Sequence, residues 1–289
     1  MSNPLQKSGI LSSLSDLTKP KISVRLAVTP AEIEAAQHVR YEVFYEEYAA
    51  TPDAAMKAEE RDYDIYDEVA DHMIVVDSSG SKEKIVGTYR LLPQHKATET
   101  GFYSSNEYDL SHVIANSKNP LELGRSCVLT QYRTRPVLQM LWQGISSYVT
   151  EKNVDLLFGC GSLHGTDIQN LAVPLSYLYH FHLAPDDIRA RAVSERYIDM
   201  NLLPKDSINP KTAFNELPPL MKGYLRIGAT IGDGAVIDHQ FNTTDVLIVM
   251  PTSFVTKRYR DHYERKNEKP LPSSQEIADM IGFREGSDE

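Results

Sequence analysis

The chain has 289 residues, of which 41% are hydrophobic and 24% charged, a composition that supports one large folded domain or two small ones. Its net charge of −10 disfavours non-specific binding of nucleic acid or of an anionic membrane by the whole surface. The sequence has neither an apolar run long enough to span a membrane nor, in residues 1–20, the apolar core of a signal peptide. Its two cysteines, Cys127 and Cys160, lie in apolar runs and are typical of buried thiols in a reducing compartment, so we expect a cytoplasmic protein.

The first predicted elements are a strand at residues 24–28 and a helix directly after it. Thr29 and Glu32 form a capping box, and Pro30 stands at the first helical position, so the helix begins there. Arg40 falls on the apolar face of this helix, where an arginine is unusual.

A hairpin follows in the sequence pattern, with strands at 73–77 and 84–92 around the turn residues 78–81. Residues 94–119 are polar and rich in turn formers, which predicts a long connection. The next elements form a β-α-β unit: a strand at 122–129, a helix from Pro136 and a strand at 154–160.

The second half of the chain continues this alternation and therefore indicates an α/β fold. A second capping box at 166–169 predicts a helix that Pro174 kinks. The remaining predictions are an irregular region at 185–219, a helix at 218–229, a strand at 245–250, a helix at 253–263, and tails at 1–20 and 265–289.

Glu122 lies among leucines on a predicted central strand, and buried carboxylates are rare without a partner. It is either a salt-bridged glutamate, with Arg125 or Arg90 as partner, or a general base whose pKa burial raises towards a useful value. Glu122 and Arg125 are three residues apart on the strand, so they face opposite sides of the sheet unless a bulge intervenes.

Asp64 and Asp67 lie in an acidic segment interleaved with tyrosines. This segment is either a solvated charge run or a carboxylate pocket for an ammonium group. Arg40 and Arg90 each stand in an otherwise apolar pattern, which indicates either buried ion pairs with these aspartates or a fork for a substrate carboxylate.

Basic residues cluster at two further places in the chain. Arg133 and Arg135 precede the helix from residue 136, and a basic turn at a helix N-terminus can bind phosphate. Lys222 and Arg226 lie on one face of a predicted helix and, with a basic run at 257–260, can steer an acidic partner. The alternative for both clusters is ordinary surface charge. His164 has no Cys or His at ligand spacing, so we predict no metal site.

Taken as an ordered set, four motifs resemble the acyl-homoserine-lactone synthase branch of the GNAT acyltransferases. They are RYEVF at 40–44, DIYD at 64–67, VGTYRLLP at 86–93 and LELGRSCV at 121–128. Within that branch, three segments resemble bacterial ornithine N-acyltransferases, over a similarity that extends through roughly residues 24–255. They are ELGRSCV at 122–128, LFGCGS at 157–162 and FNTTDV at 241–246.

The resemblance implies a GNAT-like mixed sheet flanked by helices at residues 21–264, with an extension from about residue 185. It implies transfer of a long-chain, 3-hydroxy acyl group from acyl carrier protein to the α-amine of L-ornithine, which gives lyso-ornithine lipid. No metal or redox cofactor and no nucleic acid are implied, and the lipid product suggests peripheral contact with the inner membrane. The implied site consists of Glu122 as base, Arg40, Phe44, Asp64, Asp67, Arg90 and Arg125 for the acceptor, and Arg133, Arg135, Lys222 and Arg226 for the carrier.

One departure from the GNAT pattern bears on the donor. The segment at 133–138 has no glycine, and Pro136 removes an amide, which favours a protein-borne phosphopantetheine over coenzyme A. Three alternatives stay open: an N-acyltransferase for another amino acid, an acyl-homoserine-lactone-type synthase, and a non-catalytic module that binds a carrier protein or lipid. The lactone synthases carry a tryptophan after the first motif, whereas the single tryptophan here is Trp142.

Overall fold

The structure is a computed structural model that describes residues 22–253. The tails predicted at 1–20 and 265–289, the basic run at 257–260 and nearly all of the helix predicted at 253–263 lie outside the described residues. The strands are β1 (Ile22–Leu26), β2 (Asp71–Asp77), β3 (Lys84–Pro93), β4 (Tyr108–Asp109), β5 (Pro120–Val128), β6 (Leu156–His164), β7 (Arg191–Ala192), β8 (Thr230–Asp238) and β9 (Thr243–Pro251).

These strands form one mixed sheet in the order β1-β2-β3-β5-β6-β9-β8-β7-β4. Neighbours are antiparallel except for the parallel pairs β5–β6 and β7–β8. The α-helices are α1 (Pro30–Tyr41), α2 (Ala54–Glu59), α3 (Ser111–Ala115), α4 (Arg135–Glu151), α5 (Ala172–His182), α6 (Pro210–Glu216) and α7 (Pro219–Ile227). The mixed α/β fold predicted from the sequence is confirmed.

Helices cover both faces of the sheet. Because successive side chains of β2 point to opposite faces, their contacts show which helix lies on which face. Ile74 and Val76 pack with Ala36 of α1 on the face that we call the acceptor face. Met73 faces the other way, within 3 Å of where a side chain on Gly144 of α4 would begin. We call this second side the donor face; α7 also contributes to its core.

Local signals explain the first helix. Thr29 accepts a hydrogen bond from the Glu32 amide, and the Glu32 carboxylate accepts from the Thr29 amide, so the predicted capping box is confirmed. The helix continues into a π-helical segment, Glu42–Glu47, a rare form that is frequent at functional sites.

The parallel strands β5 and β6 separate part-way along their length. Their pairing ends at Glu122 and Phe158, although both strands continue for six residues. At the point of separation Gly159 lies so close to β5 that a β-carbon there would be 2.1 Å from the Leu123 carbonyl oxygen. The gap beyond this point opens the centre of the sheet.

A β-bulge in β5 follows the separation. Arg90 of β3 pairs with Gly124 and Thr88 pairs with Cys127, so two residues of β5 stand opposite the single residue between them. Arg125 takes up the extra length with a left-handed φ of 52°. The bulge turns Arg125 to the same side of the sheet as Glu122. Without a bulge, these two residues, three positions apart on one strand, would face opposite sides.

Several sequence-based predictions are wrong. The region at 185–219, expected to be irregular, contains β7 and α6, and the connection at 94–119 contains β4 and α3. The capping box at 166–169 does not open a helix, because Asp167 accepts from the Gln169 amide in a tight turn and α5 begins only at Ala172. Pro174 therefore lies in the first turn of α5, where it causes no kink. Strand β8 was not predicted at all.

The cysteines are free, as the sequence indicated, but only Cys127 is buried. Within residues 22–253, none of the helices combines the length and the apolar character needed to cross a bilayer.

We predict that Gly159→Ala destabilises the protein, because its methyl group would overlap the Leu123 carbonyl and force β5 and β6 apart. Overpacking of this kind typically costs about 1–3 kcal/mol, measurable by urea unfolding. Gly124→Ala is the matched control on β5, since the nearest atom to its new methyl group is Arg90 Nε at 4.0 Å. Equal stability of the two variants would contradict the close approach at Gly159.

Candidate active site

A cavity of about 1260 Å³ occupies the gap between β5 and β6. Its lining combines acceptor-face residues such as Glu122 and Asp245 with donor-face residues such as Leu123 and Tyr224. Because consecutive strand residues face opposite sides of a sheet, the cavity passes through the sheet rather than lying on one face. It therefore has a polar half and an apolar half that meet at the gap in the sheet.

Glu122 lies at this point, with 4% of its surface exposed. Its carboxylate accepts hydrogen bonds from the Tyr103 amide at 2.8 Å, the Ser104 amide at 2.7 Å and the Ser104 hydroxyl at 2.5 Å. Burial raises the pKa of Glu122 above the usual value for glutamic acid, and the bonds from Ser104 and Tyr103 oppose that rise. A carboxylate whose pKa is raised in this way is a stronger base than an exposed glutamate.

Arg90 and Arg125 line the acceptor half of the cavity. Arg125 lies between two aromatic rings, 4.7 Å from the centroid of Tyr103 and 4.8 Å from that of Phe241. The Asp64 carboxylate holds both guanidinium groups, at 2.5 Å from Arg90 Nη1 and 3.2 Å from Arg125 Nη2. The two arginines are thus fixed in orientation before any ligand binds.

Arg40 is completely buried and lies behind this pair. Its guanidinium group donates hydrogen bonds to both carboxylate oxygens of Asp67, at 2.8 and 2.6 Å. Its Nε atom lies 2.6 Å from the Asp62 carboxylate and forms an ion pair with it, although the geometry is not that of an aligned hydrogen bond. Burial by itself raises the pKa of Asp67, but the hydrogen bonds and charges of Arg40 and the charge of Arg90 outweigh it and hold the pKa well below its usual range.

The predicted acceptor residues therefore come together, but in two layers. Phe44, Arg90 and Arg125 line the cavity, whereas Arg40, Asp64 and Asp67 are not among its lining residues in the described part of the chain. Phe44 meets the Phe241 ring edge-on at 5.7 Å. Asp64 and Asp67 form ion pairs with the arginines that line the cavity, so they fix the orientation of those guanidinium groups.

Acidic residues that the sequence reasoning missed line the same half of the cavity. Asp238 and Asp245 are 8% and 5% exposed and are brought together by the β8–β9 pairing. Glu107 lies next to them and accepts a bond from the Cys160 thiol at 3.2 Å. Burial raises the pKa of Glu107 to about 7 and that of Asp245 to about 6, with the charges of neighbouring acids adding to both shifts. The available signal was Asp245 itself, an acid within an apolar strand like Glu122.

The residues predicted to bind the acyl carrier lie at the end of the cavity on the donor face of the sheet. Arg133, Arg135 and Arg226 line the cavity there, and Lys222 lies one turn before Arg226 on α7, where its ammonium group donates to the Asn215 carbonyl. Arg133 forms a two-point ion pair with Glu47 at 2.5 and 2.6 Å. The helix predicted from Pro136 is confirmed as α4, which begins at Arg135.

We predict that Arg40→Met destabilises the protein by about 3–5 kcal/mol, the usual cost of leaving a buried carboxylate without its partner. The free energy of unfolding in urea measures this effect. Arg61→Met is the control, because Arg61 pairs with Glu59 and Glu34 at the surface and such pairs contribute at most about 1 kcal/mol. An Arg40→Met protein as stable as the control would show that the buried ion pairs carry no net stability.

Comparison with known proteins places this site in a family. The family model described as "Acetyltransferase (GNAT) domain" matches residues 39–143. The L-ornithine N(alpha)-acyltransferase of Agrobacterium fabrum (strain C58) is 44% identical over 254 residues, or 86% of this chain and 87% of that protein. The protein with the same name from Rhizobium meliloti (strain 1021) is 46% identical over 250 residues, or 84% of each chain.

Among solved structures, the chain is similar to FeeM, an N-acyl amino acid synthase from uncultured soil microbes, with a TM-score of 0.46 at 14% identity over 81% of this chain and 93% of that one. The sequence relatives are far more similar and extend over most of both chains. The resemblance found in the motifs is thus confirmed, and the chain belongs to the L-ornithine N(alpha)-acyltransferase family of GNAT-domain proteins.

Proposed function

We propose that this protein transfers a long-chain acyl group from acyl carrier protein to the α-amine of L-ornithine. The observation that carries the proposal is the buried Glu122 carboxylate, which lines the cavity at the point where β5 and β6 separate and the polar and apolar halves of the cavity meet. The names of the family's sequence relatives supply ornithine as acceptor. A cytoplasmic location, with peripheral membrane contact through the lipid product, follows from this donor and this product.

The acceptor enters from the polar side. Arg125 and Arg90 offer guanidinium groups suited to its α-carboxylate. Three aspartates position these arginines: Asp64 pairs with both, Asp62 with Arg125 at 3.2 Å, and Asp67 with Arg90 at 3.2 Å. Binding the carboxylate there directs the α-amine towards Glu122.

The reaction is a direct transfer. Glu122 accepts a proton from the α-amine as the amine nitrogen attacks the thioester carbonyl carbon. The C–N bond forms, the C–S bond breaks, and the phosphopantetheine sulfur leaves and takes a proton to become the thiol. Beyond Glu122 the edge of β5 no longer pairs with β6, so N–H groups near the bulge can polarise the thioester carbonyl. This mechanism requires no metal or redox cofactor.

The donor enters from the apolar side. Leu138, Leu141, Trp142 and Met221 offer an apolar surface for a long acyl chain. Tyr89 and Tyr224 bond to each other through their hydroxyl groups in this region and line the cavity, so a 3-hydroxyl group on the chain would find a polar partner. Arg133, Arg135 and Arg226 at the donor end suit the single phosphate of a phosphopantetheine arm.

We predict that Glu122→Gln lowers kcat by roughly 10²–10⁴-fold, the usual contribution of a general base, without changing the fold. The measurement is steady-state acylation of ornithine, with thermal unfolding as the test of integrity. The acidic limb of the wild-type pH–rate profile should also disappear, because activity rises with pH as the carboxyl group loses its proton.

Glu151→Gln is the control for this experiment, since Glu151 lies on the surface of α4 and pairs with Lys152. The control should keep wild-type turnover. A Glu122→Gln enzyme with near-wild-type kcat at neutral pH would exclude Glu122 as the base.

We predict that acyl carrier protein is a much better donor than acyl-coenzyme A. Lys222→Glu combined with Arg226→Glu should slow association with the acidic carrier and weaken its dependence on salt, because the basic patch steers the encounter. Stopped-flow or surface-based association rates at several salt concentrations measure both effects.

The control is the double variant Lys118→Glu with Lys152→Glu, which changes the net charge by the same amount. These two lysines lie at the opposite end of β5 and α4, where the Asn119 side chain donates a hydrogen bond to the Lys152 carbonyl. This control should alter association far less. Equal catalytic efficiency with both donors would refute the donor assignment, and equal salt dependence of the two double variants would refute the docking patch.

A further inference from the structure

The acceptor half of the cavity contains a second group of acids that the mechanism above does not use. Asp238 and Asp245 line the cavity, and Glu107 lies directly behind Cys160. The ligand atoms of Glu107, Cys160 and Asp245 are all within 4.8 Å of one another. We call Glu107, Asp238 and Asp245 the cavity acids.

The cavity acids differ from the acids near Arg40 in their partners. Asp62, Asp64 and Asp67 each contact two arginines within 3.2 Å. By contrast, Asp245 Oδ1 is buried and accepts no hydrogen bond from the residues that the structure describes. Burial raises the pKa of Asp245, and the nearby hydroxyl groups of Ser162 and Thr243 oppose that rise, although neither makes an aligned hydrogen bond to Oδ1. Both residues line the same cavity.

Two arginines lie near the cavity acids. The charge of Arg125 acts on Asp245, but Arg125 already forms ion pairs with Asp62 and Asp64. Arg196 reaches Glu107 Oε1 at 3.4 Å and donates to the carbonyls of Asn106 and Ile237. Asp238 uses one oxygen to accept from the Gln240 and Phe241 amides, which leaves its charge uncompensated. A buried group of like charges without matching cations is stabilised by a bound cation.

We infer that Asp245, with Asp238 and Glu107 around it, binds the side-chain ammonium group of the amino-acid acceptor, an assignment that rests on the proposed function. An ammonium group presents three donors, and both Asp245 Oδ1, which accepts no aligned hydrogen bond from the described residues, and the hydroxyl oxygen of Thr243 can accept from it. Specificity for a diamino acid would then come from these residues, and not from direct contact with Asp64 and Asp67.

The connection to the base supports this placement. Ser104 donates to Glu122, and the Cys160 thiol lies 3.5 Å from the Ser104 hydroxyl and 3.2 Å from Glu107. The cavity acids are therefore separated from Glu122 by two intervening side chains, on the same face of the sheet. Glu122 and Asp245 line one cavity, as a diamino acid with its α-amine at Glu122 and its distal nitrogen at Asp245 would require.

The experiment compares ornithine with norvaline, which has the same carbon chain without the ammonium group. Wild-type kcat/KM should favour ornithine, and Asp245→Asn should reduce the ornithine value by roughly 30-fold or more, as expected when a desolvated charge loses its partner. The norvaline value should stay within about threefold of wild type, because that substrate never uses the carboxylate. Asp238→Asn provides a second variant should Asp245→Asn unfold, with thermal unfolding as the check.

Two controls separate the possible outcomes. Asp233→Asn removes an aspartate of β8 that pairs with Arg191 and Tyr197 outside the cavity, and it should leave the ratio of the two substrates unchanged. Asp64→Asn with Asp67→Asn should impair both substrates alike, since these residues position the arginines that hold the common α-carboxylate. If this double variant lost the preference for ornithine while Asp245→Asn kept it, the inference would be overturned.

Two further results distinguish failure of the inference from failure of the proposed function. If wild-type enzyme acylates neither substrate, the proposed function fails, and calorimetric binding of ornithine and norvaline to wild type and Asp245→Asn still tests the inference. If treatment with EDTA abolished turnover of both substrates and Zn²⁺ restored it, Glu107, Cys160 and Asp245 would be metal ligands and the inference would be wrong.

Discussion

The separation of β5 from β6 at Glu122 and Phe158 is the constraint on which the site depends. A gap at the centre of a sheet leaves backbone polar groups without strand partners, which is costly unless something else satisfies them. Here β3 and β9 continue to pair with the outer edges of the two strands, so only the inner edges are open. The close approach at Gly159 ends the pairing sharply. As a result, Glu122, in the last residue pair between β5 and β6, lies where the polar half and the apolar half of the cavity meet.

The placement of charge follows from the need to bury guanidinium groups. Arg40 and Arg90 are buried, and the segment that contains Asp62, Asp64 and Asp67 supplies the compensating anions. An acidic segment close to a binding site is therefore a poor guide to which acids contact the ligand. The useful distinction is whether a carboxylate already forms an ion pair with a cation of the protein. Among the acids that line the cavity, Asp245 has a buried oxygen that accepts no hydrogen bond from the described residues.

Much of the fold could be predicted because its signals are local. The capping box at Thr29 and the hairpin between β2 and β3 depend on a few adjacent residues, and both predictions are confirmed. Strand β8 was missed because Gly232 and Gly234 interrupt its apolar pattern. The strand forms because β9 pairs with it and because Gly232 lets the Ala190 carbonyl approach, with only 2.9 Å from that oxygen to a β-carbon placed there. Glu107 could not be assigned from the sequence, since its neighbours come from distant strands.

The location of the cavity acids also bears on reactivity. A carboxylate close to an amine favours the protonated amine, which cannot attack a carbonyl group. Acids gathered around the α-amine would therefore oppose the reaction even as they improved binding. In this structure Glu122 alone lies at the separation point, while Asp238 and Asp245 lie beyond Ser104 and Cys160. In the proposed placement the α-amine faces one carboxylate, which can take its proton, whereas the distal nitrogen faces several acids whose combined charge keeps it protonated.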